Sequence, residues 1–136
     1  MKLFISTPMN GLTDDQIKAT FQRIREKVSE QLSCDYTATQ TVSNAIFGKI
    51  GRSRLQMLGH SISILDTVDA IIFTVGFTQA KGCLIEYHTV NEYGDGWAKD
   101  PTKPNVYFEM PDGTLKEATD RLERHRCFMI DQMNNE

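Results

Sequence analysis

The sequence predicts an α/β fold, a single three-layer domain around a mostly parallel sheet. Three observations carry that expectation. Short runs rich in β-branched and aromatic residues alternate with segments of helical periodicity, the pattern of strands joined by helical crossovers. The strongest run, "DAIIFTV" (residues 69–75), is almost continuously apolar, as a strand covered on both faces requires. The 136 residues are also one ordinary domain's worth of chain, enough to build a real core.

Each element follows in order. "KLFIS" (residues 2–6) is a short apolar run ended by "TPMNG", so it reads as a buried strand and a loop. Thr13 with Asp14 and Asp15 marks a helix start, because threonine caps free N–H groups and acids suit the positive helix end. Ile17, Phe21, Ile24 and Val28 then recur at helical spacing. "DYTATQTVS" (residues 35–43) is a polar second strand suited to a sheet edge. A loop with Gly48 and Gly51 carries Lys49, Arg52 and Arg54, and Leu55, Leu58, Ile62 and Leu65 predict a helix over 54–67. After "DAIIFTV" come a loop and a helix in "GFTQAKGCLIEYHTVNEYG" (residues 76–94). "NVYFEM" (residues 105–110) predicts a further strand and "PDGT" a turn. The segment 115–133, with Leu115, Ala118, Leu122, Met129 and Met133, reads as a last helix. The whole chain, 1–136, is expected to be one domain.

Composition narrows the function. A net charge of −3 lacks the basic face that a nucleic-acid binder needs. No apolar run approaches the roughly 20 residues of a membrane span, and no secretory h-region precedes the first strand, so a cytoplasmic protein without membrane contact is expected. Cys34, Cys83 and Cys127 are odd in number and widely spaced, and His60, His88 and His125 are scattered, so neither a disulfide framework nor a metal site is expected.

Ligands of open parallel sheets bind beyond the carboxyl ends of strands. Two loops should lie there, "STPMNG" and "GFTQAKG", each leading into a helix N-terminus. The first offers Ser6, Thr7 and Asn10 for hydrogen bonds and Gly11 for close backbone approach, yet it matches no phosphate-loop pattern. Taken alone, a plain turn with a helix cap is the favoured reading of it. After the second loop comes Glu86. At about 100° per residue, Gly82, Glu86, Val90 and Tyr93 share a helical face, mainly apolar, with room above the acid where glycine lacks a side chain. Such surroundings would raise a carboxyl pKa. A solvated acid, or one paired with Lys81 or Arg52, is the other reading that spacing allows. Glu92 falls on a different face and reads as solvated.

"KLFISTPMNGL" followed by "DAIIFTVGFTQAKGCLIEYHTVNEYG" resembles the nucleoside 2-deoxyribosyltransferase-like superfamily, and within it a small bacterial and phage branch that opens with a strand ending in Pro-Met-Asn-Gly. The resemblance spans about residues 1–95. It implies a doubly wound, flavodoxin-like sheet, a nucleoside or nucleotide as small-molecule partner, no cofactor and a homo-oligomer. It assigns Glu86, in the Gly-x-x-x-Glu helix that starts from Gly82, as the nucleophile that attacks an anomeric carbon. Substrate contacts would fall on Ser6, Thr7, Pro8, Met9, Asn10 and Gly11 of the first loop, and on Gly76, Phe77, Lys81 and Gly82 of the second. Three positions depart from the family pattern. Phe4 stands for a tyrosine, the Ser61 or His60 region for an aspartate that handles the base, and Ala80 for a sugar-binding aspartate. The implied activity is cleavage or transfer of an N-glycosidic bond of a deoxynucleoside or its 5′-monophosphate; nucleotide binding without turnover is the alternative.

Overall fold

The structure, a computed structural model, describes residues 2–32, 40–42, 53–94 and 96–135. Strand β1, Lys2–Ser6, lies between two other strands, and its side chains alternate between two faces of the sheet. Leu3 and Ile5 meet helix α1, Asp14–Gln31, together with Ile17, Phe21, Ile24 and Val28. Those four were the residues expected to face inward, and all are buried. Burial of side chains this size stabilises by about 1.5–3 kcal/mol each, which is why the helix holds although it is polar elsewhere. A capping box starts it: Gln16 N–H donates to the Thr13 hydroxyl at 3.2 Å, and Thr13 N–H donates to the Gln16 side chain at 2.9 Å.

Phe4 and Ser6 point to the opposite face. There lie helix α2, Arg54–Ile64, helix α3, Lys81–Tyr93, and helix α4, Arg121–Asn134. The core on this side holds Phe4, Leu65, Ile71, Phe73, Phe77, Tyr87, Val90, Val106, Phe108 and Cys127. Its aromatic centre is tight, with Phe73 5.2 Å from both Phe77 and Phe108 between ring centroids. The molecule is thus three-layered: α1, the sheet, and the α2–α3–α4 side.

Among the described residues the sheet has five strands in the order β2-β1-β3-β4-β5, where β2 is Gln40–Val42, β3 is Ala70–Phe73, β4 is Asn105–Glu109 and β5 is Leu115–Glu117. The first four are parallel, with Phe4 aligned on Val42 to one side and on Ile71 to the other. Strand β5 runs antiparallel to β4. This is the doubly wound, flavodoxin-like order, and β2 takes the edge expected of it. From β1 the chain steps outward to β2, then returns past β1 to β3. The order reverses between β1 and β3, so the loops after these strands bound the switch point.

Three details differ from the sequence reading. Residues 115–117 are a strand rather than the start of a helix. The Asp112 carboxylate accepts from both Thr114 groups and Gly113 takes φ +90°, so "PDGT" folds the chain back onto β4. The last helix instead starts after Asp120, whose carboxylate accepts from Glu123 N–H. Its inward face is Arg124, Cys127 and Asp131, leaving Leu122, Met129 and Met133 exposed, because the hairpin resets the helix's phase. In α2 the leading leucine, Leu55, is 78% exposed, and Ser61 and Leu65 carry the buried side. The residues Cys34, Gly48, Lys49, Gly51 and Arg52 lie outside the described residues, as do 35–39 and 43 of the predicted second strand. No described helix is long and apolar enough to cross a membrane.

Candidate active site

Glu86 sits in the second turn of α3 and is 5% exposed. Three elements converge on it. From the carboxyl end of β1, the Ser6 hydroxyl donates to Glu86 Oε1 at 2.7 Å. From α2, the Ser61 hydroxyl also hydrogen-bonds the carboxylate. On α3 itself, Cys83 lies beside both, buried and in its free thiol form. Ser6 has one proton and gives it to Glu86.

Electrostatics separates the two buried acids, Glu86 and Cys83. Burial pushes the Glu86 carboxyl up to about 7, and the Ser6 and Ser61 bonds pull in the other direction. The carboxylate is therefore substantially ionised near neutrality. Burial pushes the Cys83 thiol up to about 12, against the Ser6 bond, with the Glu86 and Asp131 charges adding to the rise. Only roughly one thiol in 10⁵ would be ionised at neutral pH, so of the two groups the carboxylate is the one that carries charge there.

The face expected to hold Gly82, Glu86, Val90 and Tyr93 is shifted. Val90 is buried with Glu86, but Tyr93 is 80% exposed, and the inward stripe runs Cys83, Glu86, Tyr87, Val90. The helix tracks the sheet through three- and four-residue steps, and the seven-residue step to Tyr93 has rotated off the contact. A Cβ built on Gly82 would meet nothing within 4 Å, so the described residues leave space one turn before the acid.

The two loops at the switch point are tied together. Thr74 N–H donates to the Ser6 carbonyl at 3.0 Å, and the Thr74 hydroxyl donates to that of Thr7 at 2.8 Å. Of the first-loop residues, Ser6 and Thr7 are buried, Pro8 and Met9 half-buried, and Asn10 and Gly11 exposed. Met9 packs against the α1-side core, and Gly11 has φ +81°, which its lack of Cβ permits. Of the second-loop residues, Gly76 is half-buried with φ +90°, and Lys81 and Gly82 are exposed at the start of α3. Helix α3 starts at Ala80 with no side-chain cap. Phe77 is 1% exposed and belongs to the aromatic core, so its ring offers no surface to a ligand.

Sequence reading singled out neither Asp131 nor Glu109. Asp131 of α4 accepts from Gly76 N–H at 2.7 Å, Thr78 N–H at 3.1 Å and the Thr78 hydroxyl at 2.6 Å. Glu109, the last residue of β4, accepts from Val75 N–H at 3.0 Å and from Lys27 at 2.6 Å, and is also bonded by Arg23. Burial works against the Glu109 charge, but these donors outweigh it and hold the carboxyl below its usual range. The available signal was an isolated acid in an apolar stretch, "CFMIDQM" and "NVYFEM". Among the described residues no cluster of His, Cys, Asp or Glu could hold a metal ion. An open groove of about 510 Å³ between α3 and α4, lined by His88, Asn91, Glu92, Arg121, Leu122 and His125, does not include Glu86. Within it Glu92 is exposed and paired with Arg121 at 3.1 Å, the solvated position expected of it.

Fold and site together define a class: an open, doubly wound α/β protein with a buried carboxylate at its switch point. The model of one protein family, described as a domain of unknown function (DUF4406), matches residues 1–95. The chain belongs to that family. No curated protein and no solved structure gives a significant match.

Proposed function

We propose that the protein cleaves or transfers the N-glycosidic bond of a deoxynucleoside or its 5′-monophosphate, with Glu86 as nucleophile. The observation that carries this reading is a carboxylate held at the strand-order reversal by hydroxyls from two other elements, Ser6 and Ser61, with room over Gly82. Ligands of this fold bind at that place. The ionised carboxylate attacks the anomeric carbon; the C–N bond breaks, its electron pair leaves on the base, and the base takes a proton from solvent. The resulting glycosyl ester is opened by water in hydrolysis or by a second base in transfer. Ser6 compensates for Phe4, which has no hydroxyl, by offering one from the same face of the same strand.

A second reading, nucleotide binding without turnover, is favoured by Ala80, which puts no polar side chain where the resembling enzymes hold the sugar. Incubation with the common deoxynucleosides and monophosphates, assayed for free base alongside calorimetry, separates the two. Affinity without base release supports the binding reading, and neither signal rejects both. The proposal extends to a cytoplasmic homo-oligomer. The exposed Leu122, Met129, Ile130 and Met133 on the outer side of α4 support the oligomer, and a monomer by light scattering would reject it.

A further inference from the structure

We infer that Asp131 is a positioning residue of the Glu86 site: α4 sets the carboxylate's geometry through the loop that launches α3. This rests on Glu86 being the working group of the site, and it brings into that site a helix beyond the family-matched segment 1–95. The path is short. After β3, Thr74 bonds back to the Ser6 carbonyl, Gly76 turns in the left-handed region, and one 3-10 turn, Phe77–Gln79, delivers Ala80 as the start of α3. Asp131 grips that turn at its entry and its middle, with Oδ1 on Gly76 N–H and Oδ2 on Thr78 N–H and the Thr78 hydroxyl. Asn135 adds a donor at 3.2 Å to Oδ2.

A buried carboxylate is costly unless several donors meet it, and here all the named partners are neutral N–H or O–H groups. An asparagine could not replace it, since its amide nitrogen would face a donor on one side. The ring of Phe128, also on α4, stacks on Tyr87 at 4.9 Å and packs edge-on to Phe77 at 6.0 Å, so the turn and α3 rest on one support. Rotation or sliding of α3 would move Glu86 away from Ser6 and Ser61, which are fixed on other elements. Effects of this kind come from displacements of about 1 Å. The groups facing the Glu86 carboxylate are the Ser6 hydroxyl from β1, Ser61 from α2 and the Cys83 thiol on α3. The charge of Asp131 on α4 reaches Cys83.

The test reads Glu86 directly, so it does not depend on turnover. The side-chain carboxyl of Glu86 is titrated by carbon-13 NMR in the wild type, Thr78→Val, Thr78→Ser and Asp131→Asn, with Glu86→Gln to assign the signal. Thr78→Val leaves the Asp131 charge in place and removes one donor, so it isolates geometry from charge. The Glu86 midpoint should rise by about half a pH unit or more in Thr78→Val as the Ser6 and Ser61 bonds loosen, and Thr78→Ser should restore it. An unchanged Glu86 signal and midpoint in folded Thr78→Val and Asp131→Asn would overturn the inference. Wild type that releases no base would instead reject the glycosidic reading and leave the titration result standing.

Discussion

The Ser6 hydroxyl, at the last residue of β1, donates to Glu86 Oε1 across 2.7 Å and 80 residues of sequence. Ser6 lies in register with Phe73 of β3, so the bond spans the point where strand order reverses. Hydrogen bonding of this kind favours the ionised carboxylate and restrains a pKa that burial drives up. Ser6→Ala should therefore raise the Glu86 pKa further, by about one unit, from the value of a hydrogen bond to a charged group. The pH–rate profile checks it: the rise in kcat/KM should move to higher pH in Ser6→Ala. An unmoved profile would detach Ser6 from Glu86's ionisation.

The wild-type profile has a definite sign. A nucleophilic carboxylate works only when ionised, so kcat/KM for base release should climb with pH around an inflection of about 7. A general acid at the same position would give the opposite slope. Rate against pH between 5 and 9 distinguishes the two roles, and a falling limb centred there would assign Glu86 as an acid.

Stability should respond to the same group in the reverse sense. The folded-state pKa of Glu86 is raised from 4.5 to about 7, so between those values the native state binds more protons than the unfolded chain. The stability Glu86 contributes is complete below the unfolded pKa and is lost as pH rises through the folded one. The full swing is on the order of 3 kcal/mol at 1.36 kcal/mol per unit. Glu86→Gln should remove it: thermal melts at pH 5 and pH 8 should show the variant gaining on the wild type at the higher pH.

Glu109 behaves oppositely, because its folded pKa is lowered. Its contribution is present above the unfolded carboxyl pKa and is lost as pH falls through the folded value. Glu109→Gln leaves Arg23 and Lys27 without their shared buried anion and weakens the tie to Val75. The expected cost is about 2 kcal/mol at neutral pH, discounted for the partly exposed Arg23. Urea unfolding at pH 7 and pH 4 should show the difference shrinking in acid.

Much of the fold could be read from residues whose environment is local in sequence. Ile17, Phe21, Ile24 and Val28 face inward because a helix on a sheet must bury its apolar stripe, and the stripe was visible. Strand β3 announced itself through continuous apolarity. Residues 115–117 did not, because a three-residue edge strand is set by the hairpin at Gly113 and its pairing with β4, not by its own composition. The outward leucine and methionines of α4 misled for a related reason: its inner face is built from Arg124, Cys127 and Asp131, which periodicity of apolar residues does not find. At the site, Glu86 drew notice through its position after the strongest strand, the glycine one turn earlier and the resemblance, and Ser6 through its place at the end of the first strand. Their contact with each other, and the part of Asp131 in holding the loop before α3, arise only through tertiary structure.

Base release is the measurement closest to the central claim. Wild type and Glu86→Gln are incubated side by side with the common deoxynucleosides and their 5′-monophosphates, and free base is followed by chromatography, with circular dichroism confirming that both are folded. The account predicts base release by the wild type, and loss of at least about a hundredfold in the variant, as expected when a nucleophile is removed. Equal release by folded Glu86→Gln, or none from folded wild type with any of these substrates, would contradict it.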